Sequence, residues 1–498
     1  MEDRCSLVRA SRLAAADAAT RNPWPDHVNN GEEGDYPFVA NFSKGLPHDD
    51  TGEVVPEAYN LLLRALTTGR AEDFERVPVG ERKLVNPRAG LAFDLEGTDA
   101  QALLMPAAPR VDSARNSAEM VELYWMALCR DVPFTDFDTN PLAEQAAAEL
   151  SRLSDYRAPK ENGRVTPGLL FRGDTPGDRR GPYLSQFLLR DIQYGTLRIP
   201  QTHDTVRRNR DFLTKFDDWL AVQRGERVAP IQRDHVNRRF LRTPRDMANY
   251  VHFDALYEAY LNAALILLGL DAPVDNGNPY RHSANQEGFG TYGPPHVLTL
   301  VTEVATRALK AAWFQKWFVH RRPRPEAFGG RVHAHLTGLR DYDMIDIEVL
   351  DSTALKLVHE RHGSFLLPQA FPEGSPMHPS YGSGHATVAG ACVTVLKAWF
   401  DESWTLPRAV VPNTSGTALA PYEGADADKL TVGGELDKVA ANIASARTMA
   451  GVHWRTDYSA AVRLGEAVAI GVLRDQVRVG HEDASFGLTR FDGTRMTI

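Results

Sequence analysis

The sequence predicts an all-α protein of packed helical bundles with few short strands. Three observations carry that expectation. Apolar residues recur at helical spacing through the second half of the chain, cap and breaker residues bracket those runs, and clean period-two alternation is scarce. The chain has 498 residues, 43% hydrophobic and 24% charged, which is globular composition and enough for two or three domains or one large intertwined unit. A formal net charge of -9 argues against a dedicated nucleic-acid surface. No apolar run approaches the roughly 18–20 residues that span a bilayer. The longest, from Ala263 to Leu270, reads as a buried helix end.

Met1-Glu2-Asp3-Arg4 opens the chain without an apolar stretch behind it, so no secretory signal is read. Cys5, Cys129 and Cys392 form neither a zinc pattern nor a disulfide framework. A cytoplasmic location is the expectation, with export left open. Residues 1–242 read as an N-terminal helical region with long loops, among them Asn22-Pro23-Trp24-Pro25, Ala158-Pro159-Lys160 and Arg172-Gly173-Asp174. Residues 243–498 read as a denser C-terminal helical bundle, the two forming one intertwined unit. Thr243-Pro244-Arg245-Asp246 supplies an N-cap, a proline at the first position and an acid in the first turn, opening a helix expected to reach about Leu268. Pro294-Pro295 opens a second, with Leu298, Val301, Val304, Ala308, Ala311 and Gln315 on one face, ending before Pro323. Ser383 starts a third, with Val388, Cys392, Val395 and Trp399 at helical spacing. Asp437 to about Met449 is a fourth. Leu197–Ile199 and Ala409–Val411 are the short strands expected.

Three segments carry chemistry: Lys316 to Pro325, His378 to His385, and Arg447 to Asp457. Ser383-Gly384-His385 sits at a helix start, where unpaired amides favour an anion by about 0.3–1 kcal/mol. Alone, Ser383 reads more often as an ordinary N-cap serine. Lys316 lies near a helix end, and Arg324 lies between two prolines that would hold its fork for a tetrahedral oxyanion. Alone, that run reads as a solvated basic face. Gly451 offers a break that could bring Arg447 and His453 to one site. His453 and Asp457, at i and i+4, would share a helix face, letting Asp457 orient the imidazole. A surface Arg–Asp network with a core histidine is the even alternative. Together, Lys316, Arg324 and Arg447 give three positive charges, Ser383 and Gly384 give neutral donors, and His385 and His453 give two imidazoles. That set suits a phosphate-like anion.

The order and spacing of these residues resemble the superfamily that joins vanadium-dependent haloperoxidases to type 2 phosphatidic acid phosphatases and bacterial acid phosphatases. Arg447, His453 and Asp457 fit its last motif and Ser383-Gly384-His385 its middle one. Lys316 and Arg324 have seven intervening residues where the pattern has six, leaving Arg322 as a competing partner; Gly382 stands for the usual proline and Ala446 for the usual serine. His378, the longer Lys–Arg spacing, Asn22-Pro23-Trp24-Pro25-Asp26-His27 and Glu122-Leu123-Tyr124-Trp125-Met126-Ala127 resemble the algal and cyanobacterial bromoperoxidase branch.

The resemblance implies packed four-helix bundles, vanadate as cofactor, and His453 as its nitrogen ligand. Lys316, Arg324, Ser383, Gly384 and Arg447 would hydrogen-bond its oxygens. His385 would be the acid–base histidine, Lys316 would polarise bound peroxide, and His378 would be a second active-site histidine. Asp457 and Trp313 would stand behind these; Trp313 is a departure, since red-algal relatives carry Arg there and fungal chloroperoxidases Trp. The implied reaction oxidises bromide, or chloride, with hydrogen peroxide to a hypohalous species that halogenates a small organic acceptor. No nucleic-acid or membrane partner is implied. A homo-oligomer, dimer to dodecamer, is. Calcium is a weak further expectation, with Asp271, Asp275 and Asn276 as loop oxygen donors that match no EF-hand. Two other readings compete: a phosphomonoesterase of the same fold, with His453 as nucleophile and His385 as leaving-group acid, and a non-catalytic, oligomeric anion-binding protein.

Overall fold

The computed structural model describes residues 2–21, 24–94 and 96–498; the Asn22-Pro23 part of the first expected loop lies outside the described residues. Helices dominate. The N-terminal region contributes α1 (Glu2–Arg21), α2 (Pro56–Thr68), α3 (Ala114–Leu128), α4 (Pro141–Leu150) and α5 (Phe216–Gln223). Then follow α6 (Pro244–Phe253), α7 (Glu258–Gly269), α8 (Pro294–Phe314), α9 (Pro325–Leu336), α10 (Thr353–His362), α11 (Gly384–Trp399), α12 (Val432–Met449) and α13 (Arg455–Val479). One apolar core runs through both regions: Tyr124 and Trp125 of α3 are buried in the same cluster as Val388 of α11 and Val439 of α12.

Among the described residues, extended segments form four antiparallel two-stranded ribbons: β1 (Ile192–Tyr194) with β2 (Leu197–Ile199), β3 (His203–Val206) with β4 (Arg233–Arg239), β5 (Val410–Pro412) with β6 (Leu419–Pro421), and β7 (Gly487–Thr489) with β8 (Arg495–Thr497). The first expected strand falls where alternation placed it; the second begins one residue later than Ala409. No helix among the described residues is long and apolar enough to cross a membrane.

Helix α11 is the axle of the C-terminal bundle, with α8, α12 and α13 packed around it. Every residue from Ala386 to Trp399 is buried, so the helix has no solvent face. Its polar residues are answered internally. The hydroxyls of Thr387 and Thr394 donate to the carbonyls of Ser383 and Gly390, and Lys397 Nζ pairs with Asp437 at 2.8 Å. Two glycines let α11 and α13 touch backbone to backbone. A Cβ on Gly390 would stand 2.0 Å from the Val462 carbonyl oxygen, and one on Gly465 1.9 Å from that of Thr387.

Two expectations are corrected. The helix predicted from Thr243 to Leu268 is two helices, because Asp254 is extended (φ -60°, ψ 146°) and the Ala255 amide donates to Glu258 Oε2 at 3.1 Å. That local side-chain bond competes with helical pairing and starts α7 afresh. Helix α12 starts well before Asp437, because Thr431 caps it by accepting from the Gly434 amide. Helix α8 ends before Pro323 as expected, passing through a π-helical turn at Gln315–His320 and stopping at Arg321 in the left-handed region (φ 43°).

Candidate active site

Four local devices bring the site together. The π turn after α8 carries Lys316, and its wider winding absorbs one more residue than an α turn ahead of Arg324. Arg324 is the extended N-cap of α9, with Pro325 in the first turn. Ser383 caps α11, its hydroxyl accepting from the Ala386 amide at 3.4 Å, and its own amide donates to the Asp457 carbonyl at 3.0 Å. Gly451, at φ +86°, turns the chain from α12 into α13 and delivers His453 beside the end that carries Arg447. A Cβ there would also meet Gln369 Nε2 at 2.7 Å.

Arg324 is the hub. Its Nη1 donates to the Val452 carbonyl at 2.7 Å and to His453 Nε2 at 2.9 Å; its Nη2 donates to His378 Nδ1 at 3.0 Å and its Nε to the His378 carbonyl at 3.0 Å. A guanidinium has no lone pair to offer, so His453 Nε2 is the acceptor. The ring proton therefore sits on Nδ1 and is donated to Asp457 Oδ2 at 2.8 Å. His453 presents a neutral ring with a lone pair aimed at the cationic cluster.

Asp457 does not act through a shared helix face as its spacing suggested. His453 precedes α13, and Asp457 folds back across the first turn, also accepting from the Trp454 amide at 3.0 Å. Its carboxylate takes two further donors, the Ser380 hydroxyl and Arg322 Nη1, the latter at 2.9 Å. Arg322 is thereby excluded as the competing partner of Lys316: it stacks 4.8 Å over Trp454 and reaches Asn116 on α3.

Lys316 is fully buried and, among the described residues, donates only to the carbonyls of Pro379 and Ser380, both at 2.8 Å. Arg447 donates Nη1 to the Val251 carbonyl at 2.8 Å, lies 5.7 Å from the Phe371 ring centre, and leaves a buried Nε unpartnered. Among the described residues, Lys316, Arg324 and Arg447 make no ion pair with any carboxylate. The energetics follow. Burial pushes Lys316 well below its ordinary value, with Arg324 and Arg447 adding to the push. Burial takes Arg324 down to about 9 and Arg447 down to about 10. His453 and His378 are held far below the usual histidine range by burial and by Lys316 and Arg324. Each cation would regain stability beside an anion. This donor set fits a tetrahedral oxyanion.

Trp313 covers the cluster. Its ring centre lies 4.7 Å from that of His378 and 5.8 Å from Lys316 Nζ, and a Cβ on Gly384 would stand 3.0 Å from its Cζ3. His385 faces the other way as well: its Nε2 meets Asp254 Oδ1 at 3.1 Å, and burial lowers its pKa while Asp254 opposes.

The structure thus gathers Lys316, Arg324, His378, Ser383, Gly384, His385, Arg447, His453, Asp457 and Trp313 in one region. Sequence reasoning missed Asp254, hidden inside an uninterrupted helical pattern, and Ser380, which has no signature of its own. The calcium expectation finds no support: Asp275 Oδ1 is occupied by the amides of Gly277 and Gly487, and no group of three or more His, Cys, Asp or Glu side chains among the described residues converges on a cation.

Fold and site together define a helical-bundle protein built to hold a buried oxyanion against one neutral imidazole. A family model described as the VCPO second helical-bundle domain matches residues 297–479. The chain is 37% identical to a vanadium-dependent bromoperoxidase of Corallina officinalis, over 100% of this chain and 99% of the relative. It is 39% identical to one of Corallina pilulifera, over 96% and 93%. The homohexameric structure of a second vanadate-dependent bromoperoxidase from Ascophyllum nodosum superposes with a TM-score of 0.91 at 31% identity, covering 99% of this chain and 90% of that one. The chain belongs to the vanadium-dependent bromoperoxidase family.

Proposed function

We propose that this protein is a vanadate-dependent haloperoxidase that uses hydrogen peroxide to oxidise bromide, and that it acts as a homo-oligomer. The observation that carries the reading is the trio of buried cations without carboxylate partners around the His453 lone pair. Lys316, Arg324 and Arg447 would neutralise the charge of vanadate through charge-assisted hydrogen bonds, each worth about 1.5–3 kcal/mol. The Ser383 hydroxyl and Gly384 amide would add neutral donors. His453 Nε2 would ligate the metal once Arg324 turns its Nη1 from the ring to the anion. Bound vanadate supplies a Lewis-acidic centre that activates peroxide toward halide.

The chain's own groups do the rest. Asp457 fixes the His453 tautomer. His385 holds or releases a proton at the ring nitrogen opposite Asp254, a role worth about 10²–10⁴-fold in rate. Lys316 would place its positive charge beside the bound peroxide and favour halide attack. Trp313 and His378 exclude water on the remaining side, and a small electron-rich organic molecule accepts the halogen.

The test measures bromination of a phenol dye with peroxide, with and without vanadate, beside phosphate-ester hydrolysis. Vanadate-dependent bromination that disappears in His453→Ala is expected. Ester hydrolysis without bromination would assign the site to phosphate chemistry instead, and anion binding with neither activity would make it structural. Bromide is expected to outrun chloride in the same assay.

A further inference from the structure

Asp254 has a second exposure. The carboxylate that meets His385 Nε2 also lines a cavity of about 140 Å³, walled by His203 and Asp204 of β3, Arg233 of β4, Asn249, Tyr250 and Phe253 of α6, and Glu258 of α7. Phe253 and Arg233 at its rim are exposed, whereas the Asp254 side chain is only 5% exposed. Among the described residues, buried Asn249 Oδ1 and His203 Nε2 have no hydrogen-bond partner, and the buried Tyr250 hydroxyl lies against the Glu258 carboxyl. A polar recess of this volume has room for several waters.

We propose that this cavity is a proton entry to His385, with Glu258 as the acid at its mouth. The inference rests on the haloperoxidase reading and deepens it. Oxidising halide with peroxide consumes a proton: H2O2 + X⁻ + H⁺ gives HOX + H2O. The peroxide O–O bond breaks, two electrons leave the halide, and one oxygen departs as water. A site ringed by buried cations repels protons arriving through its own face. The cavity offers another way. A proton leaves the Glu258 carboxyl and crosses the cavity to Asp254; the carboxyl so formed donates to the His385 Nε2 lone pair while the ring gives its Nδ1 proton to the departing oxygen, and the imidazole then exchanges its proton from Nε2 back to Nδ1 before the next turnover. Solvent then recharges Glu258.

The charged groups around Glu258 suit that task. Asp254 faces it with like charge, Tyr250 and His203 are neutral donors or acceptors, and Asp204 is already engaged by Arg233, His235 and Arg238. The Arg233 guanidinium is held 4.1 Å over the Phe253 ring. Burial raises Glu258 above the usual carboxylate range and Asp254 adds to it.

Glu258→Gln keeps the shape and removes the acid. Vanadate-loaded Glu258→Gln is expected to turn over about tenfold slower above neutral pH and near the wild-type rate in acid. Imidazole added as a small diffusible acid should restore it, and Glu258→Asp should retain most of the wild-type profile. Two further readouts bypass turnover. Vanadate affinity by calorimetry should be unchanged, and pH-difference infrared spectra of the vanadate-free protein should lose one carboxylic-acid band in Glu258→Gln. An unshifted pH profile in Glu258→Gln beside an active wild type overturns the inference alone. Equal loss at every pH without rescue by small acids also overturns it, since that marks a structural role. A wild type without vanadate-dependent turnover overturns the haloperoxidase reading and this inference with it.

Discussion

Asp457 Oδ2 accepts from His453, Ser380 and the Trp454 amide, while Oδ1 accepts from Arg322. The first contact fixes which ring nitrogen of His453 keeps a lone pair; the others fix the carboxylate that does the fixing. Asp457→Asn keeps the volume but places an amide N–H against a donor. Vanadate affinity, read by calorimetry, is expected to fall by about 10–100-fold. Arg322→Met removes a buried cation from Asp457 and Glu119, leaving two buried carboxylates less well answered. That should cost about 3–5 kcal/mol in chemical denaturation, with loss of vanadate binding as a consequence. Retained stability in this variant would show that Ser380, His453 and the Trp454 amide answer Asp457 without Arg322.

At the scale of elements, the site depends on how closely α11 and α13 approach, because one carries Ser383 at its cap and the other Asp457 in its first turn. Gly465→Ala would drive a methyl into the Thr387 carbonyl. A loss of about 1–3 kcal/mol is expected, read as a lowered Tm together with weakened vanadate binding. Unchanged values for both would mean that the helices slide apart freely. The caps that open α6 and α11 were legible because Thr243 and Ser383 stand directly before apolar periodic runs. The start of α12 was not, because Gly433-Gly434 imitates a loop while Thr431 caps it and Glu435 is buried against the Ser185 and Gln186 segment. The single-face pattern read for α11 missed its burial on every side, since Thr and Lys satisfied internally look like surface in sequence. The anion-binding set was legible only in combination, because the order and spacing of its three segments resemble a known family while each alone has a commonplace structural use. Asp254 was not, because only the broken backbone between α6 and α7 turns it toward His385.

Across the whole molecule, buried histidines set the acid limit. Burial holds His48 at about 4 and His320 at about 3, and among the described residues neither ring nitrogen of His320 has a hydrogen-bond partner. Below the unfolded value of about 6.5, the unfolded chain binds protons that the folded chain refuses, so stability falls as pH drops from there toward those folded values. Asp178, raised to about 6 by burial, works in the opposite direction between its own two values. Tm should therefore decline through this window, and His320→Phe should flatten the decline; an identical slope in that variant would remove His320 as a cause. The cluster of Lys316, Arg324 and Arg447 has a further consequence for the protein as a material. Helices from remote parts of the chain are pinned face to face there although their charges push apart, so a tetrahedral guest works as a rivet. Stripped protein should loosen first at the π turn and at the Gly451 bend, with faster amide exchange and protease nicking, and refilling should silence both.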